Sequence, residues 1–198
     1  MPFTFNKQKE RNLVSGIVLT IAFYFAAFSA ITESWSNTIS ATEQKPIEAL
    51  EPKLNFDNYQ QLGQCQLSWL WLDVYKATFF TRTGKYHSDE YPQLLVITYL
   101  RNISANDLIK ATVEQWQHLT YSADDIKTWQ RAIKGIWPNI SKNDNLSFEV
   151  INENHGRFFY NQVYLQDVKD KGFAKAFISI WLSKNTSQPK LRQQLLGQ

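Results

Sequence analysis

Residues 66–81, with the sequence QLSWLWLDVYKATFFT, constrain the fold more than any other part of this chain. The segment is rich in aromatic and β-branched residues and contains neither glycine nor proline, which predicts a β-strand. Alternation sorts its apolar residues onto two faces, with Leu70, Leu72 and Val74 on one and Trp69, Trp71, Tyr75 and Phe79 on the other. Because both faces are apolar, we expect this strand at the centre of a sheet that is covered on both sides.

Further strands and helices follow along the chain. Residues 94–101 (LLVITYLR) predict a second strand, the alternation of residues 146–150 predicts a third, and residues 156–168 can form one or two more. Ser104 and Ser122 each precede a helical apolar pattern as N-caps. Two more helices are expected, one with apolar positions in residues 173–180 and a short one that opens near Pro189. The chain is therefore predicted to be an α+β protein with an antiparallel sheet.

The N-terminal 30 residues resemble an export signal. Residues 1–12 hold three cations and one acid, and residues 13–30 form an uncharged apolar run. Ala27 and Ser29 are placed as the small pair that precedes a cleavage site. The run is also close to the length of about 20 residues that spans a bilayer, so a cleaved signal and a retained membrane anchor both stay open. Since the cations come first, either alternative places the rest of the chain in the periplasm, soluble or anchored to the inner membrane.

Composition indicates the domain bounds and argues against several classes of function. Residues 31–53 are polar with two prolines and predict a linker, which leaves residues 54–198 as the folded domain. The histidines His87, His118 and His155 lack metal-ligand spacing, and there is a single cysteine, so no metal site is expected. The sequence contains no phosphate-binding or dinucleotide motif, so no cofactor is expected. No cluster of Lys and Arg follows residue 11, which argues against nucleic acid as a partner.

Three segments carry a family resemblance: LDVYKATFF, YLRNIS and FAKAFISIWLSKNTSQPKLRQQLLG. Together they resemble the chalcone isomerase-like family, including its bacterial exported members, over roughly residues 62–197. The resemblance implies an open-faced β-sandwich, in which helices pack on one face of a large antiparallel sheet. It also implies a ligand cleft between the sheet and the helices.

The resemblance does not extend to the catalytic residues of the plant enzymes. There, an arginine early in the first long strand and a threonine about twelve residues later polarise a flavonoid ketone. The matching positions here are Gly63 and Tyr75, and no Lys or Arg occurs between residues 54 and 75. A main electrostatic contribution to such a reaction is therefore missing. An isomerase (intramolecular lyase) that uses other residues stays open as an alternative.

Non-enzymatic relatives of this fold are associated with fatty acids, which a basic residue and a tyrosine hold. By that resemblance, Tyr75 supplies the hydroxyl and Arg101 or Arg157 the partner of a carboxylate. The alternative is that Tyr75 is a core ring and Arg101 a cation at the end of a strand. Asp73 lies within an apolar run and needs a partner, either Arg101 or a ligand at the mouth of the cleft.

The expected function is therefore non-catalytic binding of a small hydrophobic or amphipathic ligand, such as a fatty acid. Two alternatives stay open beside it. One is the isomerase with a non-standard site, and the other is a structural or interaction protein of the cell envelope, whose cleft its own side chains fill.

Overall fold

A computed structural model describes residues 51–69 and 71–198. The predicted signal or anchor, and almost all of the predicted linker, lie outside these residues. The elements in chain order are a 3₁₀ turn (Phe56–Asn58), β1 (Gln60–Trp69), β2 (Leu72–Thr81), β3 (Gln93–Tyr99), α1 (Ala105–His118), α2 (Ala123–Ile133), β4 (Asn145–Asn152), β5 (His155–Tyr160), β6 (Val163–Val168), α3 (Phe173–Leu182) and α4 (Pro189–Leu195).

The six strands form one antiparallel sheet in the order β1-β2-β3-β4-β5-β6, so each strand pairs with its neighbour in sequence. Helix α3 packs on β4 and β5, α4 packs on β1, and α1 packs on α2 and α3. We call the face of the sheet that the helices cover the inner face and the opposite one the outer face. This architecture confirms the predicted α+β class with helices on one face of an antiparallel sheet.

The prediction of one central strand over residues 66–81 was wrong. The chain reverses between Trp69 and Leu72, so the segment is a hairpin and β1 forms an edge of the sheet. The turn contains no Gly, Asn or Pro. Instead, the Ser68 hydroxyl stabilises it by donating a hydrogen bond of 2.6 Å to Asp73 Oδ1. The polar Asp73 inside an apolar run was the sequence signal for this turn.

The two predicted helix starts are confirmed by capping hydrogen bonds. Ser104 Oγ accepts from the backbone N–H of Asp107, and Ser122 Oγ accepts from that of Asp125, each at 3.1 Å. Each cap satisfies one of the free amides of a first helical turn. As a result, α1 and α2 begin where the sequence pattern placed them.

Aromatic rings fill the layer between the inner face and the helices. Phe148 on β4 lies 4.6 Å from Phe177 on α3, measured between ring centroids. Trp116 on α1 is fully buried, and its Nε1 donates to the Ala176 carbonyl at 3.1 Å. This packing fixes α1 and α3 on the sheet, because buried rings contribute large apolar areas and directional edge contacts.

Two findings concern the described residues only. No helix in this part of the chain is long and apolar enough to cross a membrane. Nor do residues 51–69 and 71–198 contain a group of three or more side chains that can ligate a metal ion.

Candidate functional site

Tyr75 lies near the start of β2, on the inner face of the sheet. It stands opposite Tyr99 of β3, and the two rings meet edge to face with centroids 6.2 Å apart. Trp181 of α3 donates its Nε1 hydrogen to the Tyr75 hydroxyl oxygen at 3.0 Å. Helix α3 and strands β2 and β3 thus bring three polar aromatic side chains together between sheet and helix.

A thiol lies beside these rings. Cys65 of β1 is buried and pairs with Ala77, which places it diagonally from Tyr75 on the same face. Burial raises the pKa of the Cys65 thiol to about 11. Burial likewise raises the pKa of Tyr75 and of Tyr99 well above the ordinary value of a phenol. All three groups therefore stay protonated at neutral pH.

The cluster contains hydrogen-bond donors that the fold does not use. Among the residues that the structure describes, no group accepts the hydroxyl proton of Tyr75 or of Tyr99. A partly buried donor without an acceptor loses the hydrogen bonds that water would provide. Two neutral phenols with raised pKa values are poor bases, but they can donate to a carboxylate or a carbonyl oxygen. The chemistry of the cluster is thus that of a hydrogen-bonding site for an acceptor group.

Asp73 and Arg101 lie together at the hairpin end of the sheet. They line an open depression of about 420 Å³, whose other lining residues are Trp71, Leu72, Leu100 and Lys142. Asp73 is exposed, and hydrogen bonds from Ser68 and Gln66 lower its pKa. The structure therefore places these two predicted residues in one surface depression, two residues along the chain from the buried ends of β2 and β3.

Arg157 does not join them. It lies on β5 and points to the outer face, where its Nε donates to Asp167 Oδ1 at 2.7 Å and its Nη1 to Glu149 Oε2 at 3.4 Å. Tyr75 is on the inner face, so a carboxylate cannot contact both side chains. The expected pair of Tyr75 and Arg157 is not formed, because residue 157 is out of phase with the inward-facing Phe158.

Gly63, the position that matches the arginine of the plant enzymes, lies on β1 and faces α4. A Cβ atom at Gly63 would stand 2.2 Å from the carbonyl oxygen of Gln194. Gly63 pairs with Phe79 and not with a residue near Tyr75, which is opposite Leu67. Helix α4 thus occupies the space into which a long side chain at residue 63 would extend.

Sequence reasoning did not find Tyr99 or Trp181. Tyr99 belonged to a predicted strand, and its role depends on the register that brings it opposite Tyr75. Trp181 comes from a helix more than one hundred residues along the chain from Tyr75. Pairing of β2 with β3 was the signal that could have found Tyr99. Because the hairpin between β1 and β2 was not recognised, the register of β2 against β3 could not be predicted.

The comparisons with known proteins agree with this architecture. The profile of a family described as chalcone isomerase-like matches residues 66–197. An uncharacterized protein of Haemophilus influenzae is 30% identical over 142 residues, which cover 72% of this chain and 70% of that protein. The chain belongs to the chalcone isomerase-like family.

A solved structure shows the same fold. A fatty-acid binding protein of Arabidopsis thaliana superposes with a TM-score of 0.56, covering 74% of this chain and 90% of that one. Sequence identity between the two is 11%, so the likeness concerns the fold alone. The open antiparallel sheet with helices on one face is thus shared across very distant sequences.

Proposed function

We propose that this domain binds a small amphipathic molecule, such as a fatty acid, between the inner face of the sheet and α3, and that it does so without catalysis. The head group accepts hydrogen bonds from the hydroxyls of Tyr75 and Tyr99, and the tail lies among the aromatic rings. The observation that carries the proposal is the pair of phenolic donors without acceptors beside an apolar layer. The binding activity of the Arabidopsis protein of the same fold is consistent with it.

The protonation of the cluster favours binding over catalysis. A general base works best with a pKa near the operating pH, whereas burial moves the pKa of Tyr75 and of Tyr99 upward. The segment before Tyr75 also has no cation to stabilise an enolate or phenolate. Turnover of a chalcone that is lost in the Tyr75→Phe variant would support the isomerase instead.

Ligand entry requires movement, because side chains fill the layer around Tyr75. Helix α4 is the element that we propose to move, since it has only seven residues and packs on the edge strand β1. The movement must expose Leu195, which is fully buried, and break the hydrogen bond of 2.8 Å from Arg192 Nε to the Leu182 carbonyl. We place the tail of the ligand in the space that α4 opens by moving away from β1.

The location belongs to the same proposal. The apolar run of residues 13–30 follows a cationic segment, which supports export of the domain to the periplasm, soluble or anchored to the inner membrane. In that compartment an amphipathic ligand would be supplied by the envelope membranes. Cell fractionation with a protease-accessibility assay tests this part, and a protein that protease cannot reach in spheroplasts would contradict it.

The test of binding uses native mass spectrometry and titration of the purified, delipidated protein with a long-chain fatty acid. The Tyr75→Phe and Tyr99→Phe variants each lose one hydrogen bond to a charged group, so each should bind roughly tenfold or more weakly. Tyr59→Phe is the control, because its hydroxyl donates to Glu149 on the outer face, away from the proposed site. Equal affinity in all three variants would sink the tyrosine site.

A second candidate function has its own support in the filled interior. If no lipid co-purifies and the protein takes up neither fatty acids nor flavonoids, the domain acts as an interaction module of the envelope. In that case Tyr75 and Trp181 serve only to hold α3 on the sheet.

A further inference from the structure

The turn between β1 and β2 exposes two large apolar side chains side by side. Trp71 is 82% exposed and Leu72 is 42% exposed. Isolated apolar residues on a surface are common, but an adjacent tryptophan and leucine at the end of a hairpin form a patch that water solvates poorly. We call Trp71 and Leu72 the hairpin tip.

Cations surround the hairpin tip. Arg101 and Lys142 line the same depression as Trp71 and Leu72, together with one carboxylate, that of Asp73. Lys142 is held there by its loop, since its backbone N–H donates to Asn102 Oδ1 at 2.9 Å. The arrangement is an exposed apolar pair beside two cations, around an open depression.

Two nearby acids reduce this positive charge only in part. Asp73 accepts a hydrogen bond from Ser68 and lies near a third cation, Lys76. Asp144 accepts hydrogen bonds from the Tyr160 hydroxyl, the Asn161 amide and the backbone N–H of Ser141, so three donors share its negative charge. Cations therefore outnumber acids around the tip.

We infer that the hairpin tip docks on the surface of an anionic phospholipid bilayer. Trp71 and Leu72 insert at the boundary between head groups and acyl chains, where tryptophan is enriched in membrane proteins. Arg101 and Lys142 then face the lipid phosphates, and their stems extend along the apolar boundary. A bilayer fits this surface because exposed apolar side chains and cations occur together there, and a bilayer offers acyl chains and phosphates side by side.

The docking does not depend on ligand binding at Tyr75, although it would bring the start of β2 to the membrane surface. Tyr75 is three residues beyond Leu72 on the same strand. An amphipathic ligand that leaves the bilayer at the tip would therefore reach the phenolic cluster after a short path.

The experiment measures tryptophan quenching in the full chain by vesicles of brominated phosphatidylglycerol and phosphatidylcholine. Residues 13–30 contain no tryptophan and are present in every variant, so any attachment to the vesicles that they cause is common to all. The wild type should lose more emission than Trp71→Phe, because only Trp71 differs. The control is Trp71→Phe with Phe56→Trp, since Phe56 is 37% exposed but precedes the start of β1, at the end of the sheet opposite the hairpin tip. Its added tryptophan should show no quenching.

Lys142→Gln should require roughly fivefold more lipid for half of the Trp71 quenching, because one cation near an anionic surface contributes that much to binding. Tyr75→Phe should leave the quenching unchanged, which separates this inference from the proposed ligand site. Absent quenching of Trp71, or equal quenching of a tryptophan at residue 56, would overturn the docking. So would quenching by phosphatidylcholine alone that Lys142→Gln does not alter.

Discussion

The two faces of the sheet are stabilised in different ways. The inner face carries rings such as Phe148 and Phe158, which pack against Phe177 of α3. The outer face of β4, β5 and β6 instead carries a row of charges, in which Arg157 bridges Glu149 and Asp167. Apolar burial and ring packing stabilise the inner face, and charge-assisted hydrogen bonds at a partly exposed surface stabilise the outer face.

The difference shows where function can arise. On the outer face of β4, β5 and β6 the charged groups have partners: beside the pairs of Arg157, Tyr59 donates to Glu149, and His155 lies 2.8 Å from Asp167. On the inner face the hydroxyl protons of Tyr75 and Tyr99 have none among the described residues. The outer network is fully used within the fold, whereas the hydroxyl protons of Tyr75 and Tyr99 are available to a ligand; Thr81 Oγ1 and Trp137 Nε1 also lack a partner in the described part of the chain but lie outside the phenolic cluster.

The largest effect is expected from Trp116→Ala. Trp116 is fully buried and donates to Ala176 O, so the substitution creates a cavity and removes one buried hydrogen bond, although Ser179 Oγ still donates to that carbonyl. We expect a loss of about 4 kcal/mol in the free energy of unfolding, measured by urea denaturation. Trp71→Ala is the control, with an expected change within about 0.5 kcal/mol because Trp71 is exposed. Similar losses in both would contradict the assignment of the core to the inner face.

Gly63→Ala tests how tightly α4 closes the inner face at the edge strand. The added Cβ would lie 2.2 Å from the Gln194 carbonyl oxygen, so α4 must move. We expect a loss of about 2 kcal/mol in the free energy of unfolding, together with faster amide hydrogen exchange in α4. Gln64→Ala, at an exposed position next along β1, should change the free energy of unfolding by less than about 0.5 kcal/mol. Unchanged exchange in α4 would show that the helix does not rest on Gly63.

The sequence predicted the strands and helices around the inner face where hydrophobic periodicity or a helix cap marked them. Residues 146–150 alternate and form β4, and the Ser104 and Ser122 caps begin α1 and α2. It failed at residues 66–81, because strand formers continue through a turn that only Ser68 and Asp73 mark. Local propensity identified the strands but not the point at which the chain reverses.

The candidate site was harder to predict than the fold for the same reason. Tyr75 was identified, but the choice between Arg101 and Arg157 as its partner needed the face and register of each strand. A shift of one residue moves a side chain to the other face, and Arg157 lies one residue from the inward Phe158. Trp181 meets Tyr75 only through tertiary packing, which no local pattern encodes.

Arg157→Met tests the outer face. It removes the hydrogen bonds to Asp167 and Glu149, both about one fifth exposed, and should lower the free energy of unfolding by about 1–2 kcal/mol near neutral pH. Lys169→Met is the control: its amine lies 3.9 Å from the same carboxylate but is 68% exposed, so the expected effect is within about 0.5 kcal/mol.

The pH dependence of that loss has a definite sign. Burial alone would raise the pKa of Asp167, but hydrogen bonds from Arg157 and His155 outweigh it and lower the pKa. The stabilisation is therefore present above the ordinary aspartate pKa of about 4 and is lost as pH falls through the lowered value. The wild type and Arg157→Met should converge in stability in acid. If the difference in free energy of unfolding between the wild type and Arg157→Met stayed constant down to the pH of acid unfolding, Asp167 would not be the partner through which Arg157 stabilises the fold.

Tyr75→Phe has the smallest expected effect on the inner face. It removes the acceptor of the Trp181 N–H, which should cost about 1 kcal/mol in the free energy of unfolding at neutral pH.

Because burial raises the pKa of Tyr75, the folded state keeps a proton that the unfolded chain releases above pH of about 10. The free energy of unfolding should therefore fall with rising pH. The fall should be less steep in the variant, and the two slopes should differ by about 1.4 kcal/mol for each pH unit. Urea titrations at alkaline pH measure the two slopes. Parallel slopes would mean that the Tyr75 hydroxyl already contacts solvent, and the inner face would then be as open to water as the outer one.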